Sequence, residues 1–140
     1  MVNLITGPKG SGKTQVMIDL ANQRVKSANG NVVLIKKSNR DTYTCDFNVR
    51  VISMSEYKDI QTIEEFVGFI YGMLAGNHDI ESIFIDGVLK QANISKDSLA
   101  DFLKLVDKIS KDNNIEFYLS IAAEKKDLVN IDEATYNYLQ

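Results

Sequence analysis

Near the start of the chain, Gly7-Pro8-Lys9-Gly10-Ser11-Gly12-Lys13-Thr14 has the residue types and spacing needed to hold a polyphosphate. Glycines at 7, 10 and 12 let the backbone take left-handed or strained dihedrals and approach a phosphate without Cβ clashes. Their N–H groups can then converge on phosphate oxygens as a nest. A helix starting near Gly12 adds unpaired first-turn N–H groups and the positive end of its dipole. Lys13 is placed to reach β and γ oxygens, and the Thr14 hydroxyl to ligate Mg²⁺. Pro8 and Lys9 fill the variable positions of the same loop.

The spacing is G-x-x-x-x-G-K-[ST], the P-loop, which works only between a strand and a helix. Val2 to Thr6 is a short apolar, β-branched run suited to a buried strand, and Thr14 to Ala28 carries helical periodicity. Asn29-Gly30 is a helix stop, and Asn31 to Lys37 reads as a second buried strand. Residues 38 to 48 are polar and aperiodic, so they read as a loop; Val49 to Ser53 is a weaker strand. Thr62-Ile63-Glu64-Glu65 matches a capping box, followed by Ile63, Phe66, Val67, Ile70, Tyr71 and Leu74 at helical spacing. Gly68 and Gly72 on this helix read as a close internal contact, with an oligomer contact as the alternative.

Ser82 to Gly87 is an apolar strand ending in an acid, Asp86. Ser95 is placed to cap a further helix whose Leu99, Phe102, Leu103, Val106 and Ile109 form one stripe. Residues 115 to 121 are the next strand, and 132 to 139 form a short helix or an edge segment. Alternating strands and helices predict an α/β three-layer sandwich: a mostly parallel sheet of four to five strands with helices on both faces, in one nucleotide-binding domain over 1–140. Ligands of such sheets bind at the carboxyl ends of the strands, where the P-loop lies. Asp86 ends its strand where a magnesium-holding acid belongs, so Lys13 and Asp86 are the catalytic candidates, and Thr14 and Asp86 the metal ligands. The bland alternative is an Asp that caps the turn made by Gly87.

Over nearly its whole length the chain resembles the P-loop NTPases, on Gly7 to Thr14 and Ile83 to Asp86, with the elements between them in the expected order. Within that superfamily it resembles the RecA-like branch. Gly7-Pro8 through Ser11-Gly12-Lys13-Thr14, then a helix and Val32-Val33-Leu34-Ile35-Lys36, is similar to the start of thymidine kinases. The resemblance to twitching-motility, PilT-type ATPases extends to the nucleotide-binding core. The RecA-like resemblance implies an extra strand between the P-loop strand and the magnesium-acid strand, for which residues 115 to 121 are the candidate. It also places Ser120 near the polar position that senses the γ-phosphate; a core serine bonded to backbone is the competing reading. Two departures stand out. Many RecA-like ATPases carry Glu directly after the magnesium-binding Asp, and thymidine kinases an acid, where this chain has Gly87. The zinc-binding cysteines and substrate lasso of thymidine kinases are missing as well.

If water is to be activated, the acid must come from elsewhere, and Asp41 and Glu124 are candidates because each follows a strand end facing the phosphate site. Lys36, Lys37 and Arg40 cluster beyond the second strand and can contact phosphates, although a solvated strand exit is the simpler reading. The 140 residues, 44% hydrophobic, suffice for one buried core. A formal charge of -3 gives no basic footprint for nucleic acid. One cysteine, Cys45, builds neither an internal disulfide nor a cysteine-based zinc site. With no leader pattern and no membrane-length apolar run, the expectation is a cytoplasmic protein. The function expected is binding of ATP (or another NTP) with Mg²⁺ and slow or partner-stimulated hydrolysis, a protein partner or homo-oligomer remaining open. A nucleotide-dependent switch or adaptor is the first alternative. A small-molecule kinase is the second, with no acceptor site legible in the sequence.

Overall fold

The computed structural model describes residues 1–38, 40, 42, 44–128 and 130–139. Its centre is a six-stranded sheet built from β1 (Val2–Thr6), β2 (Asn31–Lys36), β3 (Val49–Ser53), β4 (Ile80–Ile85), β5 (Glu116–Ile121) and β6 (Asn137–Leu139). The strand order is β3-β2-β4-β5-β1-β6, and every pairing is parallel. The sheet is therefore wider than the four to five strands expected, and wholly rather than mostly parallel. The added strand is β6, three residues without an apolar run, which pairs with β1 at Asn3, Leu4 and Ile5. Asn137 reinforces it by donating from Nδ2 to Asn3 Oδ1 at 3.0 Å. Residues 116–121 do lie between β1 and β4, as the extra strand was expected to.

Alternation along the strands sends side chains to two cores. On one face Ile5, Val32, Leu34 and Phe84 pack with Met17, Ile18 and Ala21 of α1 (Lys13–Ser27). On the other, Val33, Ile35, Ile83, Ile85, Phe117 and Leu119 meet α2 (Ile63–Gly76) and α3 (Leu99–Asn113) through Phe66, Ile70, Phe102, Leu103 and Val106. The rings of Phe66 and Phe102 lie 5.9 Å apart and join the two helices. Burial of each such side chain contributes about 1.5–3 kcal/mol, which is why helices with ordinary termini stay docked. Among the described residues, no helix is long and apolar enough to cross a membrane.

The helix starts differ in a way that bears on function. Thr62 Oγ1 accepts from the Glu65 N–H while the Glu65 carboxylate accepts from the Thr62 N–H, so α2 is closed by the expected capping box. Helix α3 begins after Ser98; Ser95 sits one turn upstream, accepting from the Ser98 N–H rather than capping the helix itself. Helix α1 has no side-chain cap and no acid in its first turn, so its N-terminus is left for something else to satisfy. Gly68 and Gly72 are exposed, and a Cβ at either would meet no atom within 4 Å, so the expected internal contact is not made.

Candidate functional site

The carboxyl ends of β1, β2, β4 and β5 converge on one cleft. The loop from Gly7 to Gly12 lies across the end of β1, tied at its start by the Gly7 N–H donating to the Ala123 carbonyl at 2.9 Å. Ser11 N–H turns back to the Pro8 carbonyl at 3.2 Å. Gly10 (φ 82°) and Gly12 (φ 87°) are both left-handed, and Gly12 is the N-cap of α1. These two conformations turn the loop under the open helix end, and a side chain at either would cost about 1–2 kcal/mol. Lys13 reaches back over the loop, its Nζ donating to the Pro8 carbonyl at 2.8 Å. Its pKa lies below that of an ordinary lysine: partial burial is the main cause, the Asp86 carboxylate opposes it, and the nearby Lys90 charge adds to it.

Register explains how the acid meets its partners. Ile85 of β4 lies opposite Leu119 of β5, so the next residues along each strand, Asp86 and Ser120, are level with one another. Ser120 Oγ donates to Asp86 Oδ1 at 2.8 Å and accepts from the Gly87 N–H at 2.7 Å. Thr14 Oγ1, in the first turn of α1, donates to Asp86 Oδ2 at 3.0 Å. Both carboxylate oxygens are thus held, one from each side. Ser120 is thus a core serine bonded to backbone, as one of its two readings had it, and the same hydroxyl also holds the acid.

The cleft has a volume of about 450 Å³. Among the described residues Lys9, Lys13, Lys36, Lys37, Arg40 and Lys90 line it, against the single carboxylate of Asp86. Among the described residues none of these six cations is held in an ion pair. Lys36 is buried, with its Nζ donating to the Arg40 carbonyl, so the two hold each other at the rim. Of the three residues expected at a solvated strand exit, Lys37 and Arg40 are indeed exposed and Lys36 is buried, and all three line the cleft. Unpaired cations around an uncapped helix N-terminus attract an anion of several charges.

Thr14 and Asp86 fit a magnesium ion: hard oxygen donors, few in number, leaving positions for phosphate and water. Gly10, Gly12, Lys13 and Thr14 line the cleft as expected, while Gly7, Pro8 and Ser11 shape the loop behind it. Glu124 does not line the cleft; it is exposed and pairs with Lys126 at 3.2 Å, because the chain after β5 turns away at Ala122 and Ala123. Asp41 lies outside the described residues. Lys90 was not foreseen. It sits three residues beyond Gly87 in the single turn Val88–Lys90, and the only hint in the sequence was a lysine closely following the strand-end acid. No protein-family model matches the chain, and no curated protein is significantly similar to it.

Proposed function

We propose that the chain is a small ATP- and Mg²⁺-binding protein with a P-loop NTPase fold of the RecA-like kind, hydrolysing ATP slowly by itself or when a partner stimulates it. The observation that carries this reading is the bond between Thr14 and Asp86, 72 residues apart in sequence, at the mouth of a loop with the P-loop spacing. The strand inserted between β1 and β4 supports the RecA-like assignment. Lys13 and the N–H groups of Gly10 and Gly12 bind and orient the phosphates, and Lys36, Lys37, Arg40 and Lys90 offset their charge. Thr14 and Asp86 would hold magnesium, which would supply positive charge to offset that of the phosphates during transfer. Absence of an N-K-x-D guanine-reading pattern favours ATP over GTP.

Calorimetry with ATP and Mg²⁺ tests the proposal. Binding is expected, with a large loss in Lys13→Ala. No binding at millimolar nucleotide, or unaltered binding in that variant, refutes it. A second reading, a nucleotide-dependent switch or adaptor, is favoured by one feature: Asp86 is the one carboxylate lining the cleft among the described residues, and both its oxygens are occupied. Rapid turnover by the purified protein excludes the switch; turnover that rises only with cell extract supports partner stimulation.

A further inference from the structure

A second cavity of about 430 Å³ opens beside the phosphate cleft, and the two share Lys37 and Lys90. It lies beyond β3, between the segment leading into α2 and the segment that follows Asp86. Met54, Tyr57, Ile60, Gln61, Gln91 and Asn93 contribute its walls. Lys37, Lys58 and Lys90 line it too, and among the described residues no carboxylate does.

The wall nearest the phosphates is built with care. Gln91, 1% exposed, donates from Nε2 to the carbonyl of Asp86 at 3.2 Å, so this wall hangs from the magnesium acid itself. Asn93 Nδ2 donates to the Gln61 carbonyl at 2.8 Å and joins the wall to the start of α2. Between them Ala92 (φ 48°) and Asn93 (φ 56°) are left-handed in succession. For an alanine that conformation is costly, and such outliers cluster at ligand clamps. Lys90 stands at the junction: its Cδ lies where a Cβ on Gly87 would approach within 3.4 Å, and its charge reaches Lys13 in the P-loop.

We propose that the second cavity is an acceptor site for a nucleoside monophosphate, to which the γ-phosphoryl group of ATP is transferred. The inference rests on the reading of the cleft as an ATP site. An oxygen of the acceptor's phosphate attacks the γ-phosphorus and forms a new P–O bond. The bond from that phosphorus to the β,γ-bridging oxygen breaks, its electron pair leaving with ADP, and the acceptor becomes a nucleoside diphosphate. No proton has to be removed, because the attacking oxygen is already ionised. That matches a site whose one lining carboxylate among the described residues is engaged by Thr14 and Ser120. Two polyanions facing one another repel, and Lys37 and Lys90, present in both cavities, offset that repulsion. Tyr57, Met54 and Ile60 supply ring and apolar surface for a base, and Gln61 and Asn93 amides for its edge.

The test is ³¹P NMR of the full chain with ATP and Mg²⁺ plus AMP, GMP, CMP, UMP or dTMP, with the corresponding nucleosides as comparison. Expected is ADP and a new diphosphate in equal amounts with at least one monophosphate and with no nucleoside. Tyr57→Ala is expected to raise KM for that monophosphate about tenfold, the scale of one lost base–aromatic stack, with ATP binding unaltered. Lys90→Ala is expected to slow transfer more than it weakens ATP binding. If ATP binds and none of the five monophosphates yields a diphosphate, the acceptor site is wrong and the ATP reading stands. Transfer to nucleosides overturns the ionised nucleophile, an unchanged KM in Tyr57→Ala overturns the cavity, and absence of ATP binding overturns both readings together.

Discussion

Replacing Ser120 by alanine deletes one oxygen and unmakes two hydrogen bonds at the centre of the site. The hydroxyl is 1% exposed, so water cannot stand in for it. The bond to Asp86 Oδ1 at 2.8 Å is to a carboxylate, a kind worth about 1.5–3 kcal/mol. The Gly87 N–H that bonds Ser120 at 2.7 Å loses its acceptor, and stranding such a donor costs about 1–3 kcal/mol, toward the low end here because Gly87 is partly exposed. Together these predict a loss of about 2–4 kcal/mol, and for a chain of this size a fall in Tm of roughly 6–12 °C.

A purely structural serine stops there. A serine that positions the magnesium acid does more, since removing a supporting bond from a metal-holding carboxylate typically weakens the metal site about 10–100-fold. Thermal unfolding without nucleotide reads the first effect. Calorimetry of ATP with and without Mg²⁺ reads the second, and the loss is expected in the magnesium-dependent part alone. A Tm within about 2 °C of the parent chain, together with unchanged magnesium dependence, refutes the reasoning from which the site was assembled.

Three further outcomes follow from the same geometry. Gly87→Ala places a Cβ at φ 68° and should cost about 1–2 kcal/mol, read as a Tm lower by roughly 3–8 °C without nucleotide. The proposed polyphosphate binding would need the Lys13 ammonium, whose pKa is held below 10.5 in the free protein, so ATP affinity measured by calorimetry should begin to fall at a lower pH than an ordinary lysine would dictate. Tyr136 is buried in the fold, and that burial first, then the charges of Asp107 and Asp132 and the nearby Tyr138, push its pKa up to about 12. Its neutral form is favoured by the fold, so the stability it contributes is whole below pH 10 and is lost between pH 10 and about 12; ultraviolet titration of the tyrosines should show one late transition there, and a single transition near 10 counts against this packing.

What was legible in the sequence is what local pattern encodes. The loop at 7–14, the helix behind it and the strand that leads to Asp86 each occupy 15 residues or fewer, and their periodicity and glycines state their conformation without help from the rest of the chain. Ser120 was legible only as a candidate, because its partner is set by the register of β4 on β5, which no local window contains. Glu124 was misplaced for a related reason: being next after a strand does not say which way the chain turns, and here it turns toward Lys126. Lys90 and the second cavity were invisible, since that cavity is assembled from the ends of three strands and from a left-handed pair at Ala92 and Asn93 that carries no glycine to announce it.

Gly87 is where the two sources of inference meet. In the resemblance to P-loop NTPases it is a missing acid, and the expectation was that, if water is activated, some other carboxylate must replace it. In the fold its left-handed backbone aims an N–H at Ser120 and leaves room for the stem of Lys90. An acid there would incur the left-handed penalty and introduce a negative charge among the lysines that line the cleft. The position is thus built to hold Asp86 and to admit a cation. On the proposed reading such a cleft suits a triphosphate better than it suits activation of water, which leaves an incoming nucleophile that is already ionised as the one best matched to it.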